Sequence, residues 1–189
     1  MQIFTKEEIP RKKKFFLSEF LSGKIYIYPT DTVYGVGCIA TDEDAVNHVR
    51  EMKKRPDKAF SVIAPSKEWI LENCEVDAKA KVWLDKLPGP YTLILKQKNK
   101  KAVAKSVNVG LGTLGVRMPA HWITDLVKDL GLPIVTPSAN VSGKEVMTSQ
   151  DDLDPELQSH VDYMFDEGEL HGKPSRIIDL TGKVEKILR

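Results

Sequence analysis

Residues that form disulfides and metal centres are scarce in this sequence. Cysteine occurs only at Cys38 and Cys74, and neither lies in a CxxC spacing. The four histidines are scattered, with no HExxH motif and no Cys–His cluster. We therefore interpret the two thiols as reduced and partly buried, and we expect no metal ion to be held by side chains.

Long hydrophobic runs and a strong net charge are also absent. No apolar stretch approaches the roughly 20 residues that span a bilayer, and residues 1–8 are too acidic for a signal peptide. The net charge is +1, with basic clusters at residues 11–14 and 96–101. We interpret both clusters as solvated faces, with the steering of RNA as the alternative. The sequence predicts a cytoplasmic protein with no membrane partner.

Strand and helix patterns alternate along the 189 residues, but not in a strict βαβ rhythm. Thr5 and Glu8 form a capping-box pattern that predicts a helix start, and Asp42 and Ser66 are predicted to cap later helices. Some strand patterns follow one another directly, which favours a mixed sheet over a Rossmann fold. We expect an α/β fold, a twisted mixed sheet flanked by helices, in one domain covering residues 1–189.

The P-loop and the GxGxxG fingerprint are both missing, so a nucleotide would need another binding device. Lys53 and Arg55, which end a predicted helix before Pro56, are one candidate. Cations also suit the negative end of a helix dipole. Alternatively, an ammonium and a guanidinium at this break converge on phosphates.

Small hydroxyl and amide side chains alternate in two other segments. Thr30 and Thr32 follow a predicted strand, and Ser138, Asn140 and Ser142 follow another. Alternate residues of a strand share one face, so each set could face one cavity. A strand extension with an ordinary turn, or a helix cap, is the alternative for these residue types.

Arg117 ends a predicted strand, four residues after Thr113 and two before Pro119. A guanidinium in this position is costly to bury without a partner. We therefore expect Arg117 to face a carboxylate, from the protein or from a ligand.

Taken together, these segments resemble the TsaC/YrdC family of threonylcarbamoyl-AMP synthases. The resemblance covers residues 29–189 in family order, and the pairing of Lys-x-Arg with Ser-x-Asn is its specific part. The matching segments are Pro29-Thr30-Asp31-Thr32-Val33-Tyr34-Gly35-Val36-Gly37, Lys53-x-Arg55-Pro56, Pro88-Gly89-Pro90-Tyr91-Thr92-Leu93, Val116-Arg117-Met118-Pro119, Pro137-Ser138-Ala139-Asn140-Val141-Ser142-Gly143, Pro174-Ser175 and Ile187-Leu188-Arg189.

The resemblance implies a YrdC-like fold around a large basic cavity, and a nucleotidyltransferase that joins L-threonine, bicarbonate or carbon dioxide, and ATP. It implies catalytic roles for Lys53 and Arg55. Threonine would be bound by Thr32, Arg117 and Thr136. The nucleotide would be bound by Lys53, Arg55, Thr113, Ser138, Asn140, Ser142, Ser175 and Arg189.

The implied products are threonylcarbamoyl-AMP and pyrophosphate, and a separate transferase complex would pass the threonylcarbamoyl group to tRNA. Such a transfer depends on positioning and electrostatics more than on a protein nucleophile. Mg²⁺ would be held mainly by the ATP phosphates and water.

Two positions depart from the family pattern, and two other functions stay open. Ala64 stands where larger relatives have a histidine, and Arg176 replaces the usual threonine after Ser175. The chain looks like the short single-domain form. A YciO-like paralogue with another substrate is one alternative, and a module that binds tRNA or double-stranded RNA is the other.

Overall fold

Ten strands and seven α-helices are distributed over the computed structural model, which describes all 189 residues. The strands are β1 (Gln2–Thr5), β2 (Tyr26–Tyr28), β3 (Gly35–Gly37), β4 (Ser61–Ile63), β5 (Tyr91–Lys96), β6 (Thr113–Arg117), β7 (Ile134–Val135), β8 (Tyr163–Asp166), β9 (Arg176–Asp179) and β10 (Lys186–Ile187). The helices are α1 (Lys13–Leu21), α2 (Glu43–Met52), α3 (Lys67–Asn73), α4 (Ala78–Asp85), α5 (Lys105–Asn108), α6 (Ile123–Leu130) and α7 (Pro155–His160), with a 3₁₀ turn at Gln150–Asp152. None of the helices is long and apolar enough to cross a membrane.

The strands form two mixed sheets, in the orders β1-β8-β2-β3 and β10-β9-β5-β6-β4-β7. Each contains parallel and antiparallel pairs: β2 runs parallel to β8 and antiparallel to β3, and β5 runs parallel to β9 and antiparallel to β6. The expected mixed α/β architecture is therefore confirmed.

Main-chain hydrogen bonds join the two sheets edge to edge, along β3 and β7. Val36 N donates to Pro137 O at 2.9 Å, and Val135 N donates to Cys38 O at 3.0 Å. Gly37 permits this approach, because a Cβ there would lie 1.8 Å from the carbonyl oxygen of Val135. The polar segments that follow β2 and β7 are thereby brought side by side.

The first predicted helix start is wrong. Residues 2–5 instead form β1, which pairs in parallel with β8 and buries Phe4, and α1 begins only at Lys13. Half of the capping box is present, since Thr5 N donates to a Glu8 carboxylate oxygen at 3.0 Å. Sheet pairing and burial of an aromatic ring outweigh this local pattern.

The other predicted helix starts are confirmed. The Asp42 carboxylate accepts from Ala45 N at 3.0 Å, and the Ser66 hydroxyl accepts from Trp69 N at 3.1 Å. Both cysteines are free thiols, and both are fully buried in the core.

Candidate active site

Most of the predicted site residues line one cavity of about 310 Å³ between the two sheets. Three arginines and no carboxylate side chain are among its lining residues. A second, more open depression of about 760 Å³ contains none of the predicted residues. The predicted residues in the cavity wall are Thr32, Arg55, Thr113, Arg117, Thr136, Ser138, Ser175 and Arg189.

Thr32, Arg117 and Thr136 form one buried region of the cavity wall, here called the Arg117 region, and each is at most 5% exposed. Arg117 Nη2 donates to Asp31 Oδ1 at 2.7 Å and to Thr32 Oγ1 at 3.3 Å. Arg117 Nε and Thr136 Oγ1 are buried and make no hydrogen bond within the protein. The Tyr28 hydroxyl lies near Thr136, but it donates to Val135 O at 2.7 Å. Buried polar atoms are normally bonded, so Arg117 Nε and Thr136 Oγ1 each have a hydrogen-bonding capacity that the protein itself does not use.

The threonines before β3 do not alternate along a strand. Thr30 Oγ1 accepts from Thr32 N at 3.1 Å and donates to Val33 O at 2.7 Å, so Thr30 supports the turn. Only Thr32 reaches the cavity wall. Gly172 lies directly against Thr32, because a Cβ at Gly172 would lie 2.2 Å from Thr32 O. The β8–β9 connection therefore packs directly on the Thr32 backbone.

The two motifs that are far apart in sequence meet in the structure. Lys53, which is 2% exposed, donates from Nζ to Ser138 O at 2.6 Å and to Asn140 O at 2.5 Å. Ser142 N donates to Lys53 O at 3.1 Å. The Lys53, Asn140 and Ser142 side chains do not line the cavity, whereas Ser138 does. In this structure Lys53 therefore holds the turn that carries Ser138.

Burial governs the charge state of the motif cations. Desolvation, with a smaller contribution from the neighbouring Arg55, lowers the pKa of Lys53 to about 7. Desolvation also lowers the pKa of Arg55. Arg55 Nη2 donates to Ala59 O at 3.1 Å, and its buried Nε has no partner. Arg55 is thus a cavity cation with donor capacity to spare.

Ser175 and Arg189 form the opposite wall. Arg189 Nε donates to Ser175 O at 3.1 Å, and the hydroxyls of Ser175 and Thr92 lie 2.8 Å apart. The mouth also has apolar residues, because Leu111 and Leu188 line the cavity while remaining 62% and 58% exposed.

One residue of the site was not predicted from the sequence. Asp31 supplies the carboxylate that Arg117 was expected to face, and its other oxygen accepts from Ala120 N at 2.9 Å. The sequence did contain a signal for Asp31. Arg117 was expected to need a carboxylate partner, and Asp31 lies between Thr30 and Thr32, which had been identified as candidate site residues.

Comparison with known proteins assigns the family. The family model Sua5_yciO_yrdC, described as "Telomere recombination", matches residues 19–189. The chain belongs to the Sua5/YciO/YrdC family. A relative in Methanocaldococcus jannaschii is 39% identical over 188 residues, covering 95% of this chain and 86% of the relative. The Pyrococcus abyssi protein named "Threonylcarbamoyl-AMP synthase" is 37% identical over 177 residues, covering 88% of this chain and 50% of that protein.

Solved structures of the Sua5/YciO/YrdC family share the fold. P. abyssi Sua5 complexed with L-threonine superposes with a TM-score of 0.89 at 33% identity, covering all of this chain and 56% of that one. Escherichia coli YciO gives a TM-score of 0.86 at 26% identity, covering all of this chain and 94% of that one. The chain therefore spans about half the length of the Pyrococcus proteins.

The two departures from the family pattern lie outside the cavity wall. Ala64 is fully buried in the hydrophobic core, and its N–H donates to Arg117 O at 3.0 Å. Arg176 is exposed at the start of β9, whereas its neighbours Ser175 and Ile177 line the cavity. Neither Ala64 nor Arg176 contributes a side chain to the site.

Proposed function

We propose that this chain is a threonylcarbamoyl-AMP synthase, which joins L-threonine, bicarbonate and ATP to give threonylcarbamoyl-AMP and pyrophosphate. The observation that carries the proposal is the pair of unpartnered buried atoms, Arg117 Nε and Thr136 Oγ1, on two residues that line the same arginine-containing cavity. Relatives in P. abyssi and Bacillus subtilis bear this name.

The Arg117 region takes the amino acid. Arg117 pairs with the threonine carboxylate, since its Nε is a donor that the protein leaves unused. Thr32 and Thr136 supply hydroxyl groups beside it, and the Thr136 hydroxyl gains the partner that it lacks in the free protein.

The remainder of the cavity takes the nucleotide and its phosphates. Arg55 and Arg189 bring positive charge into the wall, and no Asp or Glu side chain lines the cavity beside them. Lys53 supports this side from beneath the Ser138 turn, where its Nζ donates to two backbone carbonyls. The hydroxyl and amide groups of this side are those of Thr113, Ser138, Asn140, Ser142 and Ser175.

The reaction needs no protein nucleophile. The threonine amine attacks the carbon of bicarbonate and water leaves, which gives a carbamate. A carbamate oxygen then attacks the α-phosphorus of ATP, and pyrophosphate leaves. The cavity residues orient the two substrates and neutralise the phosphate charge that develops. Arg55 is the lining cation that we assign to the phosphates.

A magnesium ion fits this arrangement as a companion of ATP. No group of three His, Cys, Asp or Glu side chains lies close enough to hold a metal ion, and no carboxylate side chain lines the cavity. Phosphate oxygens and water would supply the ligands, as Mg²⁺ prefers.

Pyrophosphate release tests the proposal. We expect release only when L-threonine, bicarbonate and ATP are all present, and we expect less with L-serine. Arg55→Ala should lower the rate, whereas the matched exposed change Lys58→Ala should not. No turnover by the parent protein would overturn the synthase assignment, and unchanged turnover in Arg55→Ala would overturn the assigned phosphate contact.

A YciO-like activity on another substrate is the second candidate. It is supported by the shared fold, because E. coli YciO superposes over the whole of this chain with a TM-score of 0.86. Pyrophosphate release with another amino acid and none with L-threonine would identify it. Salt-dependent tRNA binding without ATP turnover would instead indicate an RNA-binding module. A downstream threonylcarbamoyl transferase remains the proposed consumer of the product.

A further inference from the structure

Asp31 makes the only ion pair of this protein in which both side chains are at most 10% exposed. Its partner is Arg117, and the exposed fractions of the two side chains are 10% and 7%. Both oxygens are used, since Oδ1 accepts from Arg117 Nη2 at 2.7 Å and Oδ2 accepts from the backbone N–H of Ala120 at 2.9 Å. The carboxylate is therefore fixed at two points beside the cavity.

This pairing leaves part of the guanidinium available. Arg117 Nε has no partner, although it is buried. A ligand carboxylate that binds there shares the guanidinium with Asp31. Two carboxylates on one guanidinium lie roughly 5 Å apart, and their repulsion is substantial at the low effective dielectric of a buried site.

The charge of the ligand then decides its affinity. Asp31 already balances the charge of Arg117, and the remaining arginines of the cavity wall are Arg55 and Arg189. A ligand with a carboxylate alone brings an unbalanced negative charge to the Arg117 region. A zwitterion carries its own ammonium, which offsets the repulsion from Asp31.

We propose that Asp31 is a positioning and specificity-determining residue, which orients Arg117 and makes the Arg117 region of the cavity select zwitterionic amino acids over carboxylic acids that lack an amine. This inference rests on the proposed function, because it takes that region as the amino-acid site.

Calorimetric binding of two matched ligands tests the proposal. They are L-threonine and (2S,3R)-2,3-dihydroxybutanoate, in which a hydroxyl replaces the amine. The parent protein should bind L-threonine at least about ten-fold more tightly. In Asp31→Asn this ratio should fall to about one or invert, because Arg117 then attracts the anion without opposition. Asp31→Glu keeps the charge and should keep the preference. The control Glu167→Gln changes a nearby carboxylate outside the cavity and should leave the ratio unchanged.

Each outcome decides the point. If Asp31→Asn binds both ligands more weakly by the same factor, Asp31 is merely structural and the proposal is wrong. If Asp31→Asn does not fold, the parent protein still decides, because equal affinity for the two ligands, or no binding of either, overturns the proposal. The synthase assignment is tested separately: selective binding without pyrophosphate release would refute the assignment and leave the role of Asp31 intact.

Discussion

Lys53 is expected to make the stability of the free protein depend on pH. Its ammonium is buried, and desolvation lowers its pKa from 10.5 to about 7. Between these two values the unfolded chain carries the proton and the folded chain does not. The free energy of unfolding should therefore rise as the pH increases from 7 to 10.5, and the cost of burying the charge is fully present below pH 7.

The expected size follows from the two pKa values and from the contacts of the ammonium. A pKa of 10.5 in the unfolded chain and about 7 in the folded chain corresponds to about 5 kcal/mol. The carbonyl oxygens of Ser138 and Asn140 accept from Nζ at 2.6 and 2.5 Å, and hydrogen bonds to a charged group contribute about 1.5–3 kcal/mol each. Because these bonds favour the ammonium, they offset part of this value. With each bond at the lower figure, we expect an observed gain of about 2 kcal/mol across the window.

Urea denaturation at intervals between pH 7 and 10.5 measures this gain. In Lys53→Met two backbone carbonyls lose their donor, which changes the absolute free energy of unfolding at every pH. The parent protein and the variant are therefore compared by how this free energy changes with pH. Lys58→Met, a change at an exposed lysine, is the control and should follow the parent curve. If Lys53→Met and the parent protein show the same pH dependence, the reasoning about the buried ammonium is refuted.

Three further substitutions separate the parts of the site. Thr136→Val should leave the free protein within about 1 kcal/mol of its original stability, since the hydroxyl has no partner to lose, but should raise KM for L-threonine. Gly172→Ala should destabilise the protein by about 1–3 kcal/mol in thermal denaturation, because the added Cβ meets Thr32 O, and it should also raise KM for L-threonine. The control Gly182→Ala has room for a Cβ and should change neither the stability nor this KM. Arg55→Ala should raise KM for ATP about ten-fold or more, with KM for threonine little changed in steady-state kinetics. Equal effects on both KM values would contradict the division of the cavity.

Local signals in the sequence predict much of this fold. Asp42 and Ser66 cap helices because a side-chain oxygen accepts from an N–H three residues later, which needs no tertiary contact. The hydrophobic patterns also showed where two buried strands end, and the polar residues that follow these strands were therefore identified as candidate site residues. Lys53 and Ser138 do converge, as the pairing of motifs suggested.

Features that depend on distant pairing were not predictable in the same way. β1 exists because of its partner β8, which lies about 160 residues later in the chain. The Lys53 side chain donates to two carbonyls of the turn after β7, which is distant in sequence. Because that contact could not be foreseen, the sequence suggested a direct contact of Lys53 with phosphates. The roles assigned to the individual site residues stay predictions.

The main-chain hydrogen bonds along β3 and β7 restrict how the cavity can open. Hydrogen bonds from Val36 to Pro137 and from Ala139 to Tyr34 run along one wall, and Gly37 holds the two backbones in contact. Parting the sheets would break these bonds together, so ligand entry must come from movements at the mouth and in the β8–β9 connection. In hydrogen–deuterium exchange, the amides of Val36 and Ala139 should exchange slowly with and without ligand. Changes on binding should concentrate in residues 109–112 and 167–175.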